Sequence, residues 1–259
     1  MVFFPIVNIL NKKGLLIEFS ILSLKMRYTG TYLGFLWTII EPLLIFLLLH
    51  TVFTGMNIGV KDNFAIYLLS GIVFYHIFTR GTLAGMASLR ENIGILKSIN
   101  IQREFFPVAS TLTISILAII EITILVGLMP IFQFVPSLTM LLIPLPVILL
   151  LILILGMSYL LSIIHIYIKD IQTIWSIIVQ ALLFVSPIFW YISDVSGLLL
   201  NIQSINPLGQ IIELNHQIII LGQIPPILDW VYTSLYVLAI LFLGYALFKK
   251  YEKKITEEL

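Results

Sequence analysis

The sequence predicts an all-α polytopic membrane protein with six transmembrane helices, on the strength of three observations. The chain is 60% hydrophobic and 10% charged, with a mean hydropathy of +1.10, whereas soluble domains are about a quarter charged. Apolar runs of about twenty residues recur, each long enough to cross about 30 Å of hydrocarbon at 1.5 Å per residue. Of fourteen Lys and Arg residues, twelve fall on one side of those runs, Lys61 alone falls on the other, and Arg80 lies in or near a span. By the positive-inside rule both termini are cytoplasmic.

Residues 9–27 place Leu15, Phe19, Leu22 and Met26 at spacings of four, three and four, with Lys12, Lys13, Glu18, Lys25 and Arg27 mostly elsewhere around the wheel. This predicts an N-terminal amphipathic helix in the membrane interface. Ile17, Ile21 and Leu24 blur the stripe, so a helix packed on its own protein is the alternative. The opening MVFFPIVNIL lacks a basic segment before it and a small-residue cleavage site after it, so a cleaved signal peptide is not expected. Gly30 and Gly34 bracket the change of direction into the first span, 33–53, which carries Glu41.

Asp62 and Asn63 close a polar loop before the second span, 64–86. Residues 90–106, RENIGILKSINIQREFF, interrupt the apolar pattern with three cations and two acids. Pro107 opens the third span, 107–128, and Pro130, Pro136, Pro144 and Pro146 punctuate the turn into the fourth, 145–164. After the polar break HIYIKD, Asp170 stands where an N-cap carboxylate can accept from the unpaired amides of a fifth span, 171–191.

Residues 192–229 are apolar, yet Asn206-Pro207 and Pro225-Pro226 cut them into pieces too short to span. They read as two re-entrant short helices within 198–221, tolerated in a membrane only where protein or a cavity satisfies their backbone. Asn206 is the expected N-cap of the second, with Pro207 in its first helical position. The sixth span is 230–248 and the cytoplasmic tail 249–259; residues 1–259 make one transmembrane domain. Were 197–224 a full span, the basic tail would move outside, so charge and broken pattern agree on six.

No catalytic residue and no metal site is expected. With no cysteine there is no disulfide and no thiolate ligand or nucleophile, and His50, His76 and His216 have no metal-ligand spacing. The chain lacks a G-x-x-x-x-G-K-[ST] phosphate loop and so is not itself a P-loop ATPase. His165 and Asp170 form the H-x-x-x-x-D spacing that some acyltransferases use for a base and its orienting carboxylate. They lack a companion glycine-rich oxyanion segment, and capping by Asp170 is the simpler reading. Glu41, Arg80 and Glu121 lie at or near membrane depth, where a charge costs about 2.5 to 3.5 kcal/mol, so each needs a partner, a wet cavity or neutralisation. They read as hydrogen-bonded groups facing the bundle, with a proton relay as the alternative.

Aromatic residues gather at two levels: Tyr28, Tyr32 and Trp37 at one boundary, and Phe189, Trp190 and Tyr191 at the other, with Phe74, Tyr75 and Trp175 besides. An interfacial aromatic belt explains most of them; a minority is expected to line a path and stack on sugar faces.

Four segments together resemble the membrane permeases of ATP-binding-cassette exporters for O-antigen, capsular polysaccharide and teichoic acid. RYTGTYLGFLWTIIEPLL (27–44) is similar to the family's basic-Tyr, Leu-Gly-x-x-Trp and Pro entry to the first span. ENIGILKSINIQREFFPV (91–108) resembles its Asn-x-x-x-Leu-x-Lys loop, with the family's Phe-Pro-Arg order altered to Phe106-Pro107-Val108. KDIQTIW (169–175) and VSPIFWYI (185–192) resemble the entry and exit of its fifth span, Lys169 replacing the common Arg. NPLGQIIELNHQIIILG (206–222) resembles its re-entrant segment, with His216 where Arg is frequent.

The resemblance implies a six-span half-transporter, a functional homodimer in the bacterial inner membrane that moves a lipid-linked polysaccharide through a channel between two copies. Its expected partners are a second copy of itself, two copies of a nucleotide-binding ATPase subunit, the lipid-linked polysaccharide and membrane lipid, and not nucleic acid. No cofactor is expected in this chain; ATP and Mg would be bound by the partner subunit. Arg90, Glu91, Lys97, Arg103 and Glu104 become an expected ATPase-coupling loop. Tyr28, Trp37, Phe74, Tyr75, Trp190, Tyr191, Asn206, Pro207, Glu213 and His216 are the channel or gate candidates. Three rival functions remain open at this level: a transferase using His165 and Asp170, an ion-coupled carrier using Glu41 and Glu121, and an exporter of drugs or small lipids.

Overall fold

The computed structural model describes residues 13–30, 32–56, 61–98 and 101–252. Ten α-helices run in order among them: α1 (Lys13–Tyr28), α2 (Trp37–Gly55), α3 (Phe64–Glu91), α4 (Ile93–Ser98), α5 (Phe105–Leu128), α6 (Pro144–Tyr167), α7 (Ile171–Val185), α8 (Leu198–Ser204), α9 (Pro207–Ile219) and α10 (Ile227–Tyr251). Among the described residues five helices, α2, α3, α5, α6 and α10 with their short flanking turns, are long and apolar enough to cross a membrane. The first four residues of the interfacial helix expected at 9–27, and the tail from 253 onward, lie outside the described residues.

The second span runs from Phe64 to Glu91 rather than ending near 86. Its last turn is fixed by packing, since Leu89 and Ser88 are buried. Helix α5 begins at Phe105, two residues before Pro107, and Phe105 and Phe106 are both buried there. Proline suits the first turn of a helix, where its missing N–H is not needed. Asp170 and Asn206 do occupy N-cap positions, but neither side chain makes a cap hydrogen bond. Asp170 is in the helical region of φ and ψ rather than the extended region typical of a capping residue. Asn206 instead gives its Nδ2 to Ser186 Oγ at 2.9 Å.

Helix α3 is the axis of the bundle, packed by α2, α5, α6, α7 and α9. Glycine permits the closest approaches. A Cβ on Gly81 would come within 2.8 Å of the Ile154 side chain, and one on Gly85 would overlap the Ser158 side chain, so a four-residue repeat on α3 meets a four-residue repeat on α6. Gly156 and Gly244 do the same for α6 and α10: a Cβ on Gly156 would meet Leu241 Cα at 2.8 Å. In lipid, where helix association gains little from apolar burial, such small-residue seams and interhelical hydrogen bonds hold spans together.

Helix α7 has 15 residues, about 22 Å at 1.5 Å per residue, which is short of a full crossing. The chain then continues as a non-helical stretch, 186–191, whose first three residues are buried. The Tyr67 hydroxyl on α3 reaches the carbonyls of Pro187 and Trp190 at 3.2 and 2.7 Å. Irregular backbone in an apolar setting requires such internal satisfaction.

A second apolar cluster gathers Leu16 of α1, Leu89 of α3, Phe105 and Phe106 of α5, Tyr159 and Ile163 of α6, and Tyr245 and Phe248 of α10, with Ile95 and Leu96 of α4 against it. It ties the two described chain ends to one end of the bundle.

Candidate functional site

Three spans meet in a network of four ionisable side chains. Arg80 on α3 reaches Glu121 on α5 (Nη1 to Oε1, 3.2 Å) and Glu41 on α2 (Nη2 to Oε2, 3.1 Å). His76, one turn earlier on α3, places Nδ1 3.1 Å from Glu121 Oε2 and Nε2 3.3 Å from Glu41 Oε2. Glu41, Arg80 and Glu121 are isolated from one another along the sequence, and the fold brings them into contact through Arg80. His76 has no metal-ligand spacing; its separation of four from Arg80, which puts both on one helix face, is the signal in the sequence that it joins them.

The network is closed at one end and open at the other. Glu121 is 1% exposed, His76 7% and Arg80 14%, while Glu41 is 55% exposed. Nδ1 of His76 faces a Glu121 oxygen, while Nε2 lies 3.3 Å from both Glu41 Oε2 and Arg80 Nη2, so ring, guanidinium and both carboxylates form one connected group. Buried charges are retained in apolar surroundings when paired and hydrogen-bonded in this way.

The charged segment 90–106 divides. Glu91 and Lys97 are exposed and Arg90 half-buried. Glu104 has no exposed surface: it pairs with Lys249 and accepts from the Tyr245 hydroxyl at 3.5 Å. Arg103 donates to the backbone carbonyl of Glu252. These last two residues anchor the start of α5 to the end of α10, and Glu104 cannot itself meet another protein. Its neighbour Phe105 is buried, and the helix that starts there carries Glu104 inward with it.

The candidate path residues also separate. Trp37 is exposed and Tyr28 half-buried, its hydroxyl 2.6 Å from Thr38 Oγ1. Phe74 is wholly buried in the core and lines no open path; it sits on the packed side of the most enclosed span. Tyr75 is buried and donates to the Val179 carbonyl of α7 at 3.2 Å. Trp190 donates to the Phe184 carbonyl at 3.0 Å.

Tyr191, Tyr67 and His216 form a stack, with centroids 4.2 Å apart for the two tyrosines and 3.8 Å for Tyr67 and His216. His216 Nε2 donates to the Tyr67 carbonyl at 3.1 Å. Burial pushes the His216 ring down to about 3 and so keeps it neutral, which fits a single donated proton. Lys61 lies over the Tyr191 ring at 4.3 Å and pairs with Asp194 at 2.5 Å, tying the segment before α3 to residues 191–194 beside the stack. Pro207 opens α9 as expected, and Glu213 sits on that helix beside Gln217.

His165 and Asp170 do not act together. His165 is buried with Nδ1 unpartnered, Asp170 is exposed, and among the described residues no hydrogen bond joins them. No cluster of three or more potential metal ligands occurs among the described residues.

Long apolar helices joined through a central charged network and small-residue seams define a multi-pass membrane domain. The chain belongs to the ABC-2 type transporter family, whose sequence profile matches residues 20–220. It is 26% identical over 186 residues to the O-antigen export system permease protein RfbA of Myxococcus xanthus, covering 71% of this chain and 70% of that one. Identity to the protein of that name from Klebsiella pneumoniae is 23% over 249 residues, 95% of each chain. The polysialic acid transport protein KpsM of Escherichia coli is 24% identical over 241 residues, 89% of this chain and 91% of that one.

Proposed function

We propose that this chain is the membrane-spanning subunit of an ATP-driven exporter that carries a lipid-linked polysaccharide, of O-antigen, capsule or teichoic acid type, across the bacterial inner membrane. Two copies surround the channel, and a separate pair of nucleotide-binding subunits hydrolyses ATP on the cytoplasmic face. The observation that carries the reading is the family match, which spans most of the chain and includes relatives named for polysaccharide export at near full length.

The uncovered helices support it. Only 17% of the first span is buried, and α7 exposes Gln172, Thr173 and Gln180. Open Glu41 and the exposed Gln180, within the apolar stretch of α7, suit a wet channel or a second copy better than lipid. Helix α7 together with the stretch 186–191 makes the fifth of six spans, and α8 with α9 the re-entrant exit segment. Arg90, Glu91 and Lys97, beside the amphipathic α1, receive the ATPase. Its closure then passes to the spans as a rigid-body movement, through the apolar cluster that α1 and α4 share with α5, α6 and α10.

The test is purification of the tagged protein from its host in mild detergent, with identification of co-purifying subunits and assay of ATP hydrolysis. A stoichiometric subunit carrying a phosphate loop, two copies per two permeases, is expected. A permease that stays alone after crosslinking in the membrane overturns the reading.

A further inference from the structure

On the face of the molecule where α8, α9 and the start of α10 meet, a cavity of about 520 Å³ is lined by Gln203, Ser204, Gln210, Glu213, Gln217, Asp229, Tyr232 and Tyr236 together with Ile192, Leu200, Leu214 and Thr233. It lies apart from the ionic network. Two carboxylates share it, and no Lys, Arg or His lines it. The side-chain oxygens of Gln203 and Gln210 are buried behind this wall, with no partner among the described residues, so the two carboxylates set its charge. The wall is thus negative, and it rejects phosphate or carboxylate in favour of a cationic donor.

Size and surroundings narrow the class. A cavity in the 300 to 1,000 Å³ range suits a small organic group and is far larger than a bare metal ion. Tyr232 and Tyr236, one turn apart at its rim, offer ring faces that attract an ammonium. Below them on the same face of α10, Leu235, Ala239, Phe242 and Leu243 are exposed, giving an apolar track for acyl chains.

We propose that this cavity binds the primary ammonium headgroup of a zwitterionic membrane lipid of the ethanolamine type. The ammonium donates to Glu213 and Asp229, the phosphate stays at the mouth, and the chains lie along α10. Such a lipid holds the re-entrant helices against the last span. Burial, with Asp229 adding to it, pushes the Glu213 carboxyl up to about 7, and a bound cation would favour its charged form.

The experiment needs neither export nor ATP hydrolysis, so it is independent of the transport reading. The complex as purified is placed in nanodiscs of phosphatidylglycerol with phosphatidylethanolamine or phosphatidylcholine, then partly delipidated, and the retained lipids are counted by mass spectrometry. Retention of about one ethanolamine lipid per permease is expected, with the choline lipid, which has no N–H to donate, and the glycerol lipid, which has no positive charge, each held at least about tenfold more weakly. E213Q/D229N should lose that preference; if the pair fails to assemble, Asp229→Asn alone, at a half-buried position, supplies the readout. Equal retention of all three lipids, or unchanged preference in the variant, overturns the proposal. Displacement of the lipid by millimolar glucosamine would also overturn it, by assigning the site to an amino sugar instead.

Discussion

The first and second spans lie side by side, yet the helix in the middle is the less apolar of the two. About 83% of the second span is buried and about 17% of the first. In water the ranking would be reversed, but lipid is as apolar as leucine, so apolarity alone does not decide which helix goes inside. What decides it here is small and polar residues. Helix α3 carries Ser70, Gly71, His76, Arg80, Gly81, Thr82, Gly85 and Ser88, which either allow close approach or need partners. Helix α2 instead turns Leu44, Leu47, Leu48 and Val52 outward, and its one acid, Glu41, spans the divide by joining the network while half-exposed.

That contrast can be broken most severely at the glycine seams. Gly156→Leu should drive α6 from α10, because the new side chain meets Leu241 backbone; a cost above about 3 kcal/mol, with loss of monodisperse protein on size exclusion, is expected from overpacking at backbone. Gly127→Leu, on an open stretch of α5 with nothing within 4 Å, should leave the elution profile unchanged. Equal behaviour of the two variants would remove the seam from the account.

The network gives the next largest effect. Arg80→Ala leaves Glu121 buried beside a deficit of positive charge, and a loss of about 3 to 5 kcal/mol is expected in thermal unfolding. Glu41→Gln, at the open end, should cost no more than about 1 kcal/mol. R80M/E121Q should recover most of the loss, since removing both partners of a buried pair costs far less than removing one. A larger effect at Glu41 than at Arg80 would show that the enclosed end of the network is not the dominant one.

A smaller effect on folding, with a larger one on coupling, separates the two halves of the charged segment. Alanine at Arg90, Glu91 and Lys97 should leave stability within about 0.5 kcal/mol while lowering permease-stimulated ATP hydrolysis. Glu104→Gln should do the opposite, because it breaks the buried tie to Lys249. Unaltered coupling in the triple variant would place the ATPase contact elsewhere.

The smallest effects are pH-dependent and opposite in sign. The Lys61 ammonium, hydrogen-bonded to Asp194, holds that carboxyl below its usual 3.8. Its contribution is present above that value and fades as pH falls through the depressed one. Glu213 is raised from 4.5 to about 7, so the folded state holds the extra proton and stability declines as pH rises between those values. Unfolding followed from pH 4.5 to 7 should therefore flatten in Glu213→Gln; an unchanged slope there would count against burial of that carboxyl.

Much of the fold was legible because its cause is local. A run of twenty apolar residues must be a helix in lipid, since only a helix satisfies its own backbone there, and proline at 207 and 225–226 cuts α8 and α9 from their neighbours whatever surrounds them. The lengths of α3 and of α5 were less legible, because Leu89, Phe105 and Phe106 are held by partners distant in sequence. Phe74 and Tyr75 are adjacent aromatic residues with indistinguishable chemistry from sequence, yet one faces the sealed core and the other reaches α7.

By itself, then, the sequence determined the solvent, the helical class, the breaks and the family, because each follows from composition, periodicity or motif along the chain. Only the tertiary structure decided which ionisable residues are partners. Glu41, His76, Arg80 and Glu121 come from three helices, and charges at membrane depth find their stability in whichever opposite charge the packing brings within about 3 Å. The same holds for Glu104, a loop residue by sequence and a fully buried anchor in the fold, where the position of α10 rather than the local pattern sets its environment.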